Sequence, residues 1–405
     1  RTAIKQSSPD ELVLIAGKGH ENFQDYGWKK YKISDFEIVR NLRIKKNSSK
    51  IKINLKKNNF LIKKINNIKG DQINFTGVSI DSKTVKKGNL FVAIRGKFKD
   101  GHNFVKEAIS KGASYCVVSK KIDNILQSKF IKVANTYNFL NQLAFLKRIY
   151  TNGSVVAVTG SSGKTSVKDL VGNLLENYGK TYYSPRSFNN SYGVPLSLCN
   201  LEEHHSYGVF EIGMSRSGEI DKLSKIVKPN IAIITNVAEA HIENFKNLSH
   251  IAKAKAEIIN NISSSGYLII DKDGKFYNYF KSKAKKRGIN ILSIGYHKKS
   301  NIKIIKTEKH KKYNIATIKC FNEIYKLKYK NQLIKNICFA IAVLKTLKLD
   351  INKIKNKIKN IEVLEGRGKV YKVKYNNLNF NLIDESYNAN PLSMKQSIQS
   401  LSSIK

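Results

Sequence analysis

Apolar and polar positions between Ser154 and Asp273 fall into two alternating patterns. SVVAVTG (154–160) is a continuous apolar run bounded by glycine and too short for a helix, as expected of a strand buried on both faces. The segment after it, SVKDLVGNLLENYG, repeats its apolar residues at helical spacing instead. The same exchange recurs through YGVFEIG, GEIDKLSKIV, NIAIITNV, SHIAKAKAEIINNI and GYLIIDKD. Strands alternating with helices predict an α/β fold built on a mostly parallel, doubly wound sheet. A further helix is predicted over Ile334–Leu347.

The flanks read differently. From about Thr76, VSIDSKTVKKGNLFVAIRG reads as strand, turn, strand, with Gly88-Asn89 as the turn signal. Phe104–Gly112 reads as a helix and Tyr115–Val118 as a short strand, so this block is α/β as well. Near the start, Leu12–Ala16 is a short apolar strand ending at Gly17-Lys18-Gly19-His20, and Asn47–Lys50 is a polar linker into a lysine-rich stretch. A third unit opens near Val363, where VLEGRGKVYKV leads to the strand NLIDES and the turn YNANP. The chain is expected to end inside that unit, which is too short for an independent α/β domain. The division expected is 1–46, 47–150, 151–362 and 363–405, with no internal repeat.

Composition changes this picture only in part. A chain of 405 residues holds roughly two to four domains, and 41 % apolar with 10 % aromatic content argues against disorder. No apolar run approaches the roughly 20 residues of a membrane helix, and the first residues lack the charged-then-apolar pattern of a signal peptide. Cys116, Cys199, Cys320 and Cys338 lie far apart with no CxxC pair, which fits a reduced, cytoplasmic protein without a disulfide frame or zinc site. The net charge of +43, from 73 Lys+Arg against 30 Asp+Glu, would ordinarily point to nucleic acid or an anionic surface. Here Lys, Asn and Ile are inflated together, as in KIKNKIKNI, the pattern of an AT-rich coding bias. The lysines also lack an arginine-rich reading helix or interleaved aromatics. No nucleic-acid partner and no membrane insertion are therefore expected.

The strongest local signal for chemistry is the run Thr159-Gly160-Ser161-Ser162-Gly163-Lys164-Thr165 between a predicted strand and a predicted helix. Such a loop presents backbone N–H groups and the positive helix end to phosphates. Lys164 would neutralise the terminal phosphates and the Thr165 hydroxyl would help hold Mg²⁺. The pattern GxxxxGK[ST] is incomplete, since Val158 stands where its first glycine would be. Glu211 follows a strand at the end where α/β sheets bind ligands, and a carboxylate there can hold Mg²⁺. Taken alone, Glu211 reads as an exposed strand-end carboxylate, His241 as a surface histidine and Lys255 as a solvated lysine.

These features occur together in one known order. VTGSSGKTSVKDL, then SFNNSYGVPLSL, FEIGMSRSGEI, TNVAEAHIENF and AKAKAEI, resemble the Mur ligases of peptidoglycan synthesis. Before them, SIDSKTVKKGNLFVAIRGKFKDGHNFV resembles that family's N-terminal UDP-substrate domain; after them, GRG…LIDESYNANPLSM resembles the opening of its C-terminal domain. The resemblance covers roughly 75–405. It implies a three-domain architecture with a central P-loop parallel-sheet ATPase domain and a truncated Rossmann-like C-terminal domain. It also implies an ATP- and Mg²⁺-dependent ligase that joins D-alanyl-D-alanine to UDP-N-acetylmuramoyl-tripeptide through an acyl phosphate, acting in the cytoplasm as a monomer. The short third unit would leave this chain able to bind substrates without turning them over.

Residue by residue, the resemblance implies ATP contacts at Gly160, Ser161, Ser162, Gly163, Lys164, Thr165 and Ser166. Thr165 and Glu211 would hold one magnesium and His241 a second, with Lys255 at the position of a carbamylated lysine. Asn336 would contact adenine, while Arg367 and Asp384 would reach ATP phosphate and ribose from the third domain. Asn189, Asn190, Tyr387 and Asn388 fall on the substrate side, and Asp81, Ser82 and Thr84 in the UDP-binding stretch. Lys83 stands where the family usually has Arg, Gln332 where it has His, and Glu385 where it has Asp. In the first residues, LVLIAGKGHENFQ and KKYKISDFEIVR resemble the C-terminal end of the member of this family that adds meso-diaminopimelate, with Gly17 and Glu21 at its amino-acid-recognising positions. A fragment of a fusion of two such ligases is the expectation. The alternatives are a folylpolyglutamate-synthase-like ligase, a fragment that binds nucleotide without catalysis, and a basic P-loop protein acting on nucleic acid.

Overall fold

Strand β8 (Ser154–Thr159) sits inside the largest sheet, and its alternate residues face opposite cores. Val155 and Ala157 pack on one side, Val156 and Val158 on the other, and all four are fully buried. Two-sided burial is why this strand reads as an unbroken apolar run. The structure is a computed structural model, and it describes residues 73–123, 127–239, 244–310, 313–330, 334–361, 365–375, 378–387, 394–395, 65 and 398, together with the backbone of strands β1 (Leu12–Ala16), β2 (Gln24–Asp25) and β3 (Lys30–Tyr31).

The first of three larger sheets is four-stranded and parallel: β4 (Val78–Ser79), β5 (Leu90–Val92), β6 (Tyr115–Val118) and β7 (Phe130–Lys132). The Gly88-Asn89 turn does not make a hairpin. Val78 pairs with Leu90 in parallel, because a short 3₁₀ turn (Ser82–Thr84) carries the chain back across the sheet. Helix α1 (Val105–Ser110) covers one face, with Val105 and Ala108 against Phe91, Cys116 and Val118. Helix α2 (Thr136–Ile149) covers the other and continues into the core of the large sheet through Phe139, Leu140 and Leu143.

The nine-stranded sheet runs, edge to edge, Glu323–Tyr329, Asn314–Cys320, Ile302–Lys309, Asn290–Gly295, Tyr267–Asp271, Ile231–Ile234, β8, Tyr207–Glu211 and Thr181–Tyr183. β9 (Thr181–Tyr183), β10 (Tyr207–Glu211), β11 (Ile231–Ile234), β12 (Tyr267–Asp271) and β13 (Asn290–Gly295) are parallel to β8, as a doubly wound fold requires. β14 (Ile302–Lys309), β15 (Asn314–Cys320) and β16 (Glu323–Tyr329) then add an antiparallel meander. These three strands lie outside the elements expected from the sequence, and in the last of them Tyr325, Leu327 and Tyr329 are buried in alternation with the exposed Lys326 and Lys328. Helices α3 (Lys164–Leu175) and α8 (Ile334–Thr346) cover one face; α4 (Gly193–Cys199), α5 (Glu219–Val227), α6 (Leu248–Lys255) and α7 (Tyr277–Lys286) lie on the other. α6 is shorter than the segment expected to be helical, because from Ala256 to Asn261 the chain tightens to 3₁₀.

The strand order reverses at β8. The chain leaves β8 for β9 and β10 on one side, then crosses to β11 on the other, so β8 ends in a crevice between β10 and β11. Ligands of open α/β sheets bind at such a switch point. The third sheet pairs β17 (Lys369–Tyr375) antiparallel to β18 (Leu378–Glu385), and β1 lies parallel to β18 with Ile15 opposite Asp384. Among the described residues no helix is long and apolar enough to cross a membrane.

Candidate active site

The loop after β8 is braced before any ligand is considered. Ser161 N–H donates to Asn236 O at 3.1 Å, and Ser162 N–H donates to Asn236 Oδ1 at 3.0 Å. Thr235 Oγ1 donates to Ser162 O at 2.6 Å, and Ser161 Oγ donates to Ala238 O at 2.8 Å. The residues just past β11 therefore hold the loop in shape. Gly160 has to be glycine because a Cβ there would overlap Thr235 Oγ1. Gly163 caps α3 in the left-handed conformation, φ 75°, which favours glycine. By helix geometry the first amides of α3 are left without internal partners and face the crevice with the positive helix end.

Lys164 curls back over this loop, with Nζ donating to Gly160 O at 3.0 Å. Burial lowers its pKa, the Arg367 cation lowers it further, and the Glu211 carboxylate pulls it the other way. Glu211 ends β10 and is 1 % exposed, so it is not the solvated strand-end carboxylate that its position in the sequence suggests. Register explains its place: Glu211 lies opposite Val158, directly beside the start of the loop. Thr165 Oγ1 donates to Glu211 Oε2 at 2.6 Å, and Asn189 Nδ2 donates to Glu211 Oε1 at 2.7 Å.

The C-terminal unit reaches this point. Arg367 Nη2 donates to Thr165 Oγ1 at 2.9 Å, and the guanidinium stacks on the Tyr387 ring at 4.0 Å. Tyr387 OH donates to Ser187 Oγ. Arg367 Nε is buried without a hydrogen-bond partner. Gly366, with φ 76°, allows the turn before it, and Asp384 pins that turn by accepting from Gly366 N–H at 3.0 Å. Its other oxygen accepts from Ser386 N–H and Oγ, so both oxygens of this buried carboxylate already serve the chain.

Lys255 ends α6 and is 3 % exposed, so it is not a solvated lysine either. Burial, with the Lys164 charge added, pushes its pKa well below the usual lysine value. Asn336, in α8, is buried with its Oδ1 3.7 Å from where a Cβ on Gly163 would sit, which brings it to the phosphate loop. Asn190 is an exposed capping residue, its Oδ1 accepting from Tyr192 and Gly193 N–H. In the four-stranded sheet, Asp81 caps Lys83, Thr84 bonds Ser79 and Asp81, and Ser82 Oγ donates to Glu107 at 2.8 Å. His241, Asn388, Gln332, Gly17 and Glu21 lie outside the described residues.

The donors present fit a hard cation. Thr165 and Glu211 offer oxygens only, as Mg²⁺ prefers, and Arg367 shows that the spot accepts a positive charge. Among the described residues no group of three or more His, Cys, Asp or Glu could hold a metal ion, so any site here would be completed by other ligands. Sequence reasoning missed the bracing residues Thr235 and Asn236 and the buried Lys168, for which no motif stands out.

A phosphate loop at the switch point of a parallel sheet, flanked by a folded unit on each side and touched by an arginine from the last one, defines a P-loop nucleotide-binding protein. Residues 158–344 match the Mur ligase middle domain, and residues 74–146 match the Mur ligase family catalytic domain. The chain belongs to the Mur ligase family. It is 35 % identical over 338 residues to the UDP-N-acetylmuramoyl-tripeptide–D-alanyl-D-alanine ligase of Rickettsia prowazekii, covering 82 % of this chain and 74 % of that protein. Its fold matches a crystal structure of MurF from Acinetobacter baumannii with TM-score 0.75 and 27 % identity, over 85 % of this chain and 76 % of that one. MurF ligase from Thermotoga maritima in complex with ADP matches with TM-score 0.68 and 29 % identity, over 80 % and 74 %.

Proposed function

We propose that this chain is the ATP-dependent ligase that joins D-alanyl-D-alanine to UDP-N-acetylmuramoyl-tripeptide, a carbon–nitrogen bond-forming step of peptidoglycan precursor synthesis. The observation that carries the reading is the Arg367–Thr165–Glu211 chain, in which the third unit meets the phosphate loop of the second. A carboxylate does not react with an amine at neutral pH, because oxide is a poor leaving group. Transfer of the γ-phosphoryl from ATP to the tripeptide carboxylate releases ADP and gives an acyl phosphate. The dipeptide amine then attacks the acyl carbon, sheds a proton, and expels phosphate. Such transfers depend on positioning and on neutralising charge.

The chain's residues suit those tasks. Lys164 and the first amides of α3 cradle the phosphates, and the orphan Nε of Arg367 is free to take a phosphoryl oxygen. Asn336, buried beside Gly163, would contact the adenine base. Thr165 and Glu211 would hold Mg²⁺, which supplies charge neutralisation between phosphates when bound. His241 would serve the second magnesium. Burial lowers the pKa of Lys255, which favours the amine form, and a carbamate formed there with CO₂ would give the metal site another carboxylate. Asn189 and Tyr387 would stand on the substrate side, and Asp81, Ser82, Thr84 and the four-stranded sheet would take the UDP end. A cytoplasmic setting suits ATP supply and four buried free thiols. The first 46 residues are read as the tail of a diaminopimelate-adding ligase.

Calorimetric titration with UDP-N-acetylmuramoyl-tripeptide, with a folate as control, tests this reading. Micromolar binding of the tripeptide and none of folate is expected. Binding of folate alone would move the chain to the folylpolyglutamate ligases.

A further inference from the structure

Lys168 is the one lysine of α3 that turns away from the nucleotide and is fully buried. It lies one helical turn after Lys164, and its ammonium has three acceptors for three N–H bonds: Ser184 O at 2.6 Å, Arg186 O at 2.9 Å and Asp169 Oδ1 at 2.8 Å. Two of the three belong to the loop between β9 and α4. That loop encloses Glu211. Glu211 N–H donates to Ser184 Oγ at 3.3 Å, Asn189 Nδ2 donates to its carboxylate, and Gly213 N–H donates to Asn189 O at 2.8 Å. The same loop carries Ser187, the acceptor for Tyr387. It also holds Arg186 at φ 50°, a left-handed conformation that a residue with a side chain adopts only when its surroundings enforce it.

We infer that Lys168 is a positioning residue of the ligase site: it fastens Ser184 and Arg186 so that Asn189 and Ser187 meet Glu211 and Tyr387. A buried ammonium does this better than a neutral donor, because one atom serves two carbonyls while Asp169 balances its charge. The Lys168 ammonium bonds Ser184, Arg186 and Asp169, all outside the phosphate loop. Its effect on turnover runs through the strained loop, an inference that rests on the ligase reading above.

Lys168→Met, nearly the same size without the charge, tests it. In the ligation assay kcat is expected to fall tenfold or more, while the ATP Kd from calorimetry stays within twofold. Arg186→Gly added to that variant removes the strain and should recover at least threefold in kcat. Amide hydrogen exchange across 186–190 should speed at least tenfold with α3 unchanged. Should the methionine variant not fold, Lys168→Arg takes its place, since a guanidinium cannot serve both carbonyls and Asp169 from one atom. Loop exchange that stays unchanged, or loss of ATP affinity in step with kcat and no recovery on Arg186→Gly, overturns the inference. Faster loop exchange in a protein whose unsubstituted form does not bind the tripeptide counts against the ligase reading alone and supports the anchoring role.

Discussion

Thr165 and Glu211, 46 positions apart in the chain, share a 2.6 Å hydrogen bond whose direction is settled by a third residue. Arg367 already donates to the Thr165 oxygen, so the hydroxyl hydrogen points to Glu211. The carboxylate is buried, receives two neutral donors, and acts on the charge of Lys164. With Arg367 held on Thr165 and its Nε turned to a phosphoryl oxygen, Thr165 and Glu211 would together face a metal ion.

Glu211→Gln keeps the shape and removes the charge. Ligation should drop on the order of 10²-fold, as when a charge-stabilising group is lost, and half-saturation should require more Mg²⁺. Activity within about threefold of the parent, at unchanged Mg²⁺ dependence, would exclude Glu211 as a metal ligand.

Arg367→Lys tests the planar fork. A lysine can neither stack flat on Tyr387 nor bond Thr165 and a phosphoryl oxygen together. Turnover should fall about tenfold or more while tripeptide binding by calorimetry stays unchanged. Full turnover with lysine would mean that charge alone suffices.

Asn200 welds the first sheet to the second. Its Oδ1 accepts from Val78 N–H at 2.9 Å and its Nδ2 donates to Val78 O at 3.1 Å, as a neighbouring strand would. Asn200→Ala strands a buried peptide group and should cost about 1–3 kcal/mol in denaturant unfolding. A loss below about 0.5 kcal/mol would show that water replaces the amide without penalty.

His205 gives the pH response. Burial, aided by the charges of His204 and nearby lysines, lowers its pKa from 6.5 to about 4, and Glu202 N–H donates to its Nδ1 at 2.9 Å. The unfolded chain binds the proton more readily, so this contribution is whole above pH 6.5 and is lost as pH falls toward 4. His205→Gln should flatten the fall in Tm across that window. Parallel curves for the two proteins would assign the acid response to other groups.

The phosphate loop, its strand and its helix were legible because glycine positions and apolar period are local properties. Glu211 and Lys255 were legible as positions through resemblance, yet their solvation was not: both look like exposed charges in the chain and both are buried. The meander at 302–329 carries clear period-two alternation in EIYKLKY, yet it falls outside the expected elements, between the strand GYLIIDKD and the helix at Ile334–Leu347. The strand, turn and strand around Gly88-Asn89 were legible, but turn chemistry does not dictate which way the next strand runs, and here it pairs in parallel.

By itself the sequence determined the strand–helix alternation, the phosphate loop and the family, because each rests on residues within a few positions of one another. Only the tertiary structure decided that Thr235 and Asn236 brace the loop, that Lys168 fastens the Arg186 turn, and that Arg367 lies on Thr165, 202 positions away. Those contacts join different strands across the switch point of the sheet. Their partners are chosen by strand order and register, which no local pattern of residues encodes.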